Sequence, residues 1–390
     1  MKRIYFSVIC CLIFLTANLY GQSKVPPPPK FDLPSYILMD ATTGNVIAEL
    51  NAESQIEPAS MTKVMTSYIA ADQIEEELIS ANDEVIISSK AWSRNVEGTT
   101  MFIIEGQRVP LSELLNGLIV VSGNDAAIAI AEHIAGTEED FAALMNQYAQ
   151  RLGLKNTLFQ NSSGLPDANH YSTAKDLALL TQSLIKKFPE HYGRYRQKSY
   201  KYEYEGNNTD VQYNRNRLLW NDASVDGVKT GSTDSAGHSV IASAKRNDMR
   251  LISVVTGSKS KDARFIASER LLNYGFRYFS TQKLIPSNTS LKTSVIWGGR
   301  SDNLNLGIRN DLFVTLARTD FKNIEIKYRY KNNVQAPVQK GDDFGEIEIL
   351  SNGKLVATSQ LIALEEVKAK GFFGRLFSRI LLWFINLFNF

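Results

Sequence analysis

Ser60 and Lys63 combine a nucleophile and a base at a spacing of three residues. On a helix, this spacing puts the serine hydroxyl and the lysine amine on one face, within reach of each other. A lysine that is buried or close to another cation has a lowered pKa, so its amine can accept the serine proton. Glu57-Pro58-Ala59 precedes the serine and favours a helix start, where backbone N–H groups point at a developing oxyanion.

The Ser-x-x-Lys spacing is not distinctive by itself, and its usual meaning is a solvated helix face. It also begins at Ser172, Ser183, Ser258, Ser280 and Ser351. The interpretation of Ser60 therefore depends on two further motifs.

The first of these is Ser122-Gly123-Asn124, which follows an apolar run and precedes a helical pattern. It is expected on a loop that lines a cleft, where the serine could relay a proton to a leaving amine and the asparagine could hold a substrate carbonyl. The alternative is an ordinary helix cap. Ser-x-Asn also recurs at Ser80, Ser93 and Ser301.

The second is Lys229-Thr230-Gly231, which occurs once and follows Val225-Asp226-Gly227-Val228. A sheet-edge strand is predicted here. Lysine supplies positive potential, threonine a hydroxyl, and glycine leaves room for a substrate backbone to pair with the edge. The alternative is a surface turn.

Other kinds of chemistry find little support. The chain has no HExxH or similar cluster among its four histidines, so no metal site is predicted. No Gly-x-Ser-x-Gly motif supports a Ser-His-Asp triad, although residue order alone does not exclude one. Cys10 and Cys11 both lie in an N-terminal apolar segment, so no disulfide is expected after it. A net charge of +2 gives no reason to expect nucleic acid as a partner.

Residues 1–21 have the layout of a secretory signal peptide, in which Lys2-Arg3 precedes the apolar run 4–15. The alternative is an uncleaved anchor, although the run is short for a membrane span. Residues 22–34 contain Pro26–Pro29 and are expected to form an extended polyproline linker.

Residues 35–280 mix two periodicities. Strands are predicted at 36–41, 46–50, 239–244 and 251–256, and helices at 61–74, 111–118, 125–134, 138–152 and 173–187. Strands at both ends, with helices between them, predict one sheet closed by the two ends of this segment. The fold class is therefore α+β.

The C-terminal part contains two further regions with different sequence patterns. Residues 285–365 contain short strands separated by turns and are predicted to form a small all-β sandwich. Residues 366–390 are predicted to form an amphipathic helix that lies in the membrane interface, with Arg375 and Arg379 near lipid phosphates. Its apolar run, 380–385, is far too short to span a bilayer. The alternative is a terminal helix docked on the protein's own surface.

The three motifs, in this order and rough spacing, resemble those of the penicillin-recognising serine acyltransferases. Within that superfamily the chain is most similar to low-molecular-mass penicillin-binding proteins that are serine-type D-alanyl-D-alanine carboxypeptidases. The flanking text agrees over Tyr36–Asp40, Pro58–Ser60, Ser122–Ala126 and Val225–Gly231. The resemblance covers nearly the whole chain after the leader, because these enzymes also carry a C-terminal β domain and an amphipathic anchor. It implies a serine β-lactamase/transpeptidase-like domain at 35–280.

The resemblance also implies an acyl-enzyme mechanism without a cofactor. Ser60 would attack the carbonyl between two D-alanines, and Lys63 would take its proton. Ser122 would help to pass a proton to the departing D-alanine. Asn124 and Lys229 would hold the substrate.

Further binding roles follow from the same resemblance. Thr230, with Arg264 in the predicted loop Lys261–Arg264, would grip the terminal carboxylate of the substrate. Backbone N–H groups of Ser60 and Ser232 would form the oxyanion hole. Ser232 is a departure, since many relatives have histidine there, and this could alter deacylation or substrate preference.

The resemblance implies peptidoglycan pentapeptides as substrates and β-lactam antibiotics as inhibitors. The expected location is the periplasmic face of the inner membrane, with the C-terminal helix as a peripheral anchor. A β-lactamase is an alternative, but the resemblance implies that such enzymes lack the C-terminal β domain and the anchor expected here. The sequence is also compatible with an endopeptidase of the same superfamily and with a non-catalytic peptidoglycan-binding scaffold.

Overall fold

The computed structural model describes residues 25–204, 207–331 and 334–388. The predicted signal peptide, 1–21, lies outside these residues, as do 22–24 of the predicted linker and 389–390 of the predicted terminal helix. The strands in the described part are β1 (Ser35–Asp40), β2 (Val46–Leu50), β3 (Glu84–Ile86), β4 (Arg108–Pro110), β5 (Ser199–Tyr200), β6 (Glu203–Tyr204), β7 (Asn207–Asn208), β8 (Gln212–Tyr213), β9 (Val225–Thr233), β10 (Gly237–Arg246), β11 (Met249–Ser258), β12 (Phe279–Ile285), β13 (Lys292–Trp297), β14 (Asn303–Gly307), β15 (Leu312–Ala317), β16 (Ile324–Tyr330), β17 (Val334–Gln335), β18 (Asp343–Ser351) and β19 (Lys354–Ala363). The helices are α1 (Lys63–Glu75), α2 (Leu111–Asn116), α3 (Asn124–Ala135), α4 (Glu138–Arg151), α5 (Ala174–Lys187), α6 (Pro189–Tyr192), α7 (Leu218–Asn221), α8 (Lys261–Tyr278) and α9 (Phe372–Phe388).

An antiparallel sheet of five strands, in the order β2-β1-β11-β10-β9, forms the centre of the N-terminal part. Strand β1 pairs with β11, so the first and last strands of this segment are neighbours, as the sequence pattern predicts. Strand β9, which carries Lys229-Thr230-Gly231, is an edge of the sheet.

The sheet is covered on both faces because its strands alternate two apolar sets. Ile37, Met39 and Ile252 pack against the helices between β2 and β9. Leu38 and Leu251 point to the other face, where α8 covers the sheet. Helix α5 packs on β1 and β11, and α1 is buried among α3, α4 and α5. The turn before α1 meets the β9 edge.

A second domain, all β, follows α8. Strands β12 and β15 form an antiparallel ribbon, and the other strands form a six-stranded sheet in the order β16-β18-β19-β14-β13-β17. The predicted start of this domain at residue 285 leaves out β12, which pairs with β15 along its length. Ile347, Ile349 and Leu361 are among the fully buried residues of a separate core.

The two domains are joined by a buried cluster of hydroxyls around one carboxylate. Asp40 accepts hydrogen bonds from the hydroxyls of Thr43 at 2.8 Å and Thr281 at 2.6 Å. The hydroxyl of Thr315 lies 2.7 Å from that of Thr43 and 2.9 Å from that of Thr281. The turn after β1 is thereby tied to the β12–β15 ribbon.

The described residues before β1 belong to the predicted polyproline linker and contact the fold. Val25, Phe31 and Leu33 pack against the core under α8, and the hydroxyl of Tyr274 donates to the carbonyl of Pro26 at 2.9 Å. Proline fixes an extended backbone without internal hydrogen bonds, so its carbonyls remain free for such contacts. The described part of the predicted linker is therefore packed on the N-terminal domain.

Helix α9 ends the described chain and exposes large apolar side chains. Phe372, Phe373 and Phe377 are 68%, 82% and 69% exposed, and Trp383 is 59% exposed. Among the described residues, no helix has the length and apolar character needed to cross a membrane.

Candidate active site

Ser60 lies on a 3-10 turn, Ala59–Thr62, that leads directly into α1. Its side chain is half-buried and faces a cavity of about 470 Å³. The walls of this cavity include the β9 edge, residues 98–99 and residues 163–166. Seven of the nine predicted site residues line it: Ser60, Ser122, Asn124, Thr230, Gly231, Ser232 and Arg264.

Lys63 lies behind Ser60 and is 1% exposed. Its Nζ is 3.2 Å from Ser60 Oγ, and it donates hydrogen bonds to Asn124 Oδ1 and to the carbonyl of Ser163, both at 2.6 Å. A neutral amine has two N–H donors and one lone pair. With both donors directed at these two oxygens, the lone pair is left for the hydroxyl of Ser60.

Burial lowers the pKa of Lys63 from 10.5 to about 7. The nearby carboxylates of Asp125 and Glu138 oppose this shift, whereas the charge of Arg215 adds to it. A large share of Lys63 is therefore neutral at neutral pH, as a general base must be.

Ser122 and Asn124 are held between the π-helical turn Gly117–Val121 and α3. Ser122 has a left-handed backbone, with φ of 71°, and is 3% exposed. The Nδ2 of Asn124 donates to the carbonyl of Glu97 at 2.7 Å, which leaves its Oδ1 for Lys63. The asparagine thus orients the lysine as well as lining the cavity.

Lys229 extends from β9 towards Ser122, and its Nζ donates to Ser122 Oγ at 2.8 Å. Burial, followed by the charges of Lys63 and Arg215, lowers the pKa of Lys229 well below its ordinary value. Gly231 allows β9 to approach the Ser60 turn, since a Cβ there would lie 2.8 Å from the carbonyl oxygen of Pro58. Glycine at this position keeps the strand and the nucleophile together.

Arg264 lies in the first turn of α8, and not in the loop that the sequence pattern predicted. It is 4% exposed, and its guanidinium donates to the carbonyls of Gly231 and Ser239, both at 3.1 Å. Its Nε is buried and makes no hydrogen bond within the described part of the chain. Arg264 and Thr230 both line the cavity, so a guanidinium borders it beside β9.

Two contributors to the site carry no sequence signal. Ser163 acts through its backbone carbonyl, which any residue type can supply, so only the turn-rich run Asn161–Pro166 hinted at a loop. Arg215 lines the cavity and affects the pKa of Lys63, Lys229 and Arg264, but it lies outside the three motifs. Within the described residues, no group of three or more His, Cys, Asp or Glu side chains is arranged to hold a metal ion.

Comparison with known proteins shows the family of this chain. Residues 22–260 match the family model for D-alanyl-D-alanine carboxypeptidase, and residues 279–369 match the model for the C-terminal domain of penicillin-binding protein 5. The chain belongs to the D-alanyl-D-alanine carboxypeptidase family. The predicted family and the α+β catalytic fold followed by an all-β domain are thereby confirmed.

Relatives of this carboxypeptidase extend over both domains. D-alanyl-D-alanine carboxypeptidase DacC of Escherichia coli is 39% identical over 379 residues, which are 96% of this chain and 94% of that protein. DacA of the same organism is 37% identical over 399 residues, 100% of this chain and 98% of that protein. The crystal structure of penicillin-binding protein 5 from Haemophilus influenzae has a TM-score of 0.83 at 36% identity and covers 88% of this chain and 99% of that one.

Proposed function

We propose that this protein removes the terminal D-alanine from peptidoglycan pentapeptides through an acyl-enzyme on Ser60, and that β-lactam antibiotics acylate the same serine. The observation that carries the proposal is the arrangement of Lys63. Its two hydrogen-bond acceptors and its pKa of about 7 supply a neutral amine whose lone pair faces Ser60 Oγ. The family membership and the relatives that cover both domains support the same reaction.

Acylation begins when Lys63 takes the proton of Ser60 while Ser60 Oγ attacks the carbonyl carbon between the two D-alanines. The backbone N–H groups of Ser60 and Ser232 receive the oxyanion, because preorganised donors stabilise charge as it develops. Collapse of the intermediate breaks the C–N bond. Water then hydrolyses the ester, and no cofactor takes part.

The departing D-alanine needs a proton on its amine. Ser122 is suited to deliver it because Lys229 Nζ donates to its oxygen at 2.8 Å, which leaves the Ser122 hydroxyl proton free to point into the cavity. The proton reaching Ser122 comes from Lys63, which received it from Ser60. The amine therefore leaves neutral.

The carboxylate of the substrate meets the cationic end of the cavity. Thr230, Arg264 and Lys261 line this end, and Arg264 and Lys261 bring positive charge to it. Arg215 lines the same cavity and adds a further positive charge. A charged, donor-rich end favours substrates with a free C-terminal carboxylate, which is the mark of a carboxypeptidase.

The test uses protein that lacks residues 1–21 and 371–390. Its mass is followed with penicillin, and D-alanine release is measured from a pentapeptide ending in D-Ala-D-Ala, with Ser60→Ala as control. A long-lived adduct and Ser60-dependent D-alanine release are expected. Rapid penicillin turnover without D-alanine would indicate a β-lactamase instead, and neither adduct nor release would leave a non-catalytic scaffold.

Export and membrane attachment are part of the proposal. We infer that residues 1–21 direct the chain across the inner membrane and that α9 then binds the periplasmic face of that membrane. The charged and apolar runs of 1–21 and the exposed Phe372, Phe373 and Phe377 of α9 support this. Vesicle binding by protein with and without α9 tests the anchor.

A further inference from the structure

Ser232 and His238 form a polar pair at the rim of the cavity. They lie directly opposite each other in the β9–β10 ladder, and Ser232 Oγ is 2.5 Å from His238 Nδ1. Ser232 is exposed and lines the cavity together with Ser60 and Thr230. The pair therefore borders the place where an acyl group on Ser60 would lie.

His238 is neutral in its usual state at this position. Partial burial, and then the positive charges of Arg264 and Lys261 on α8, lower the pKa of His238 below its usual value of 6.5. The neighbouring strands present the uncharged Ser232 from β9 and Ser258 from β11. When the proton of the neutral imidazole is on Nε2, Nδ1 accepts a hydrogen bond from the hydroxyl of Ser232.

The direction of this hydrogen bond decides what Ser232 offers the cavity. When Ser232 donates to His238, its oxygen presents only lone pairs to the cavity, so it is fixed as an acceptor. When His238 is protonated, Nδ1–H donates to Ser232 instead. The hydroxyl proton is then released towards the cavity, and Ser232 becomes a donor.

We propose that His238 is a positioning residue for hydrolysis of the acyl-enzyme, and that it holds Ser232 Oγ as the acceptor that orients the attacking water. This rests on the proposed function. The water oxygen bonds to the acyl carbon, the bond between that carbon and Ser60 Oγ breaks, and one water proton passes through Lys63 to Ser60. The second O–H of the water is the one that Ser232 accepts.

The position of Ser232 in the cavity favours this placement of the water. Its own backbone N–H is an expected donor to the acyl carbonyl oxygen, and its side chain lines the same cavity as Ser60. A water that donates to Ser232 Oγ is placed near the acyl carbon, while protonation of the leaving Ser60 Oγ is left to Lys63. Acylation, in which no water reacts, does not need the pair.

The test separates the two half-reactions in His238→Ala, His238→Asn and Ser232→Ala. Acylation by a fluorescent penicillin and decay of the adduct are timed separately. His238→Ala and Ser232→Ala are expected to slow decay by roughly 5- to 30-fold, the value of one or two hydrogen bonds. In His238→Ala, acylation should stay within about twofold of wild type. Asparagine can place an amide oxygen where Nδ1 lies, so His238→Asn should restore most of the decay rate.

The pH dependence distinguishes positioning from a structural effect. The ratio of the decay rates of wild type and His238→Asn cancels the titration of Lys63, which both proteins share. This ratio should fall on acidification below pH 6.5, because only wild type turns Ser232 into a donor. A ratio that stays constant with pH overturns the proposal.

His133→Ala is the matched control. His133 lies on α3, outside the cavity, and its Nε2 is 3.2 Å from the half-buried carboxylate of Asp83. It should leave both half-reactions unchanged. If wild type acylates and releases D-alanine while His238→Ala decays at the wild-type rate, the positioning role fails and the carboxypeptidase stands. If wild type forms no adduct on Ser60, the proposed function itself fails.

Discussion

Lys63 illustrates how a buried cation is turned into a base. Full burial disfavours its charged form, and the two oxygens that accept its N–H groups do not carry a full charge, so they restore only part of the lost hydration. Asp125 is close enough to favour the charged form, but its own pKa is raised to about 6 by burial. Burial therefore outweighs the nearby carboxylates, and the pKa of Lys63 stays near neutrality instead of at the ordinary value for lysine.

This predicts the pH dependence of acylation by penicillin. Only neutral Lys63 can take the proton of Ser60, so the second-order rate constant should rise with pH, bend near the Lys63 pKa of about 7, and be level above it. Below the bend it should fall about tenfold per pH unit. Stopped-flow acylation from about pH 5 to about pH 10 measures it. A rate that keeps rising towards the ordinary lysine value of 10.5 would contradict the role.

At the same scale, sequence reasoning found side chains and missed backbone. Ser60, Lys63 and Lys229 are recognisable because only a few residue types can perform their chemistry. The carbonyl of Ser163 is as close to Lys63 Nζ as Asn124 Oδ1 is, at 2.6 Å. Every residue type has a backbone carbonyl, so the sequence does not mark this one. Arg215 acts over distance through its charge, and a lone arginine on a surface segment has no distinctive spacing.

The elements that carry these residues depend on one close approach between a loop and a turn. In the loop Asn161–Pro166, Asn161 Oδ1 accepts hydrogen bonds from the backbone of Gly164 at 2.7 Å and Leu165 at 3.1 Å. Gly164 has φ of +85°, and a Cβ there would lie 1.8 Å from the carbonyl oxygen of Ala59. The loop can present the Ser163 carbonyl to Lys63 only because residue 164 has no side chain.

Gly164→Ala is therefore expected to damage both stability and activity. Alanine at positive φ costs about 1–2 kcal/mol, and the clash with the Ser60 turn adds about 1–3 kcal/mol. Gly153→Ala is the matched control, because Gly153 has φ of +70° and a Cβ there would meet no atom of the described residues within 4 Å. In urea unfolding, Gly153→Ala should lower the free energy of unfolding only by the about 1–2 kcal/mol expected for alanine at positive φ. Acylation per folded molecule should fall at least about tenfold only for Gly164→Ala, and equal behaviour of the two variants would refute the contact.

Sequence periodicity predicted the helices whose buried faces are apolar and missed those with mixed faces. In α8, Arg264 and Ser268 are buried while Ile266 is 50% exposed, so the 3.6-residue pattern is blurred. Strand β14 is rich in asparagine and glycine, which have low strand propensity, and its pairing with β13 and β19 overrides that preference. Tertiary contacts decided both elements.

The whole molecule combines a catalytic domain, a β domain and a terminal helix along one chain. The hydroxyl cluster around Asp40 joins the β12–β15 ribbon to the turn after β1, and these polar groups satisfy one another in a buried setting. Such a junction favours a fixed orientation over a loose tether. Helix α9 follows the β domain in the sequence and contacts its strand β13. The β domain therefore lies between the catalytic domain and α9 along the chain.

Membrane binding by α9 is the prediction that belongs to this scale. Protein lacking residues 1–21 is mixed with vesicles of phosphatidylethanolamine and phosphatidylglycerol and sedimented, beside the same protein ending at residue 370. The longer protein should sediment with the vesicles and the shorter one should stay in solution, because affinity follows the apolar area that enters the interface. Phe373→Ser with Phe377→Ser should weaken binding, since these rings are 82% and 69% exposed. Both lengths should release D-alanine equally from a soluble pentapeptide. Equal sedimentation of the two would mean that another surface binds the membrane, and no sedimentation of either would remove the anchor from the proposal.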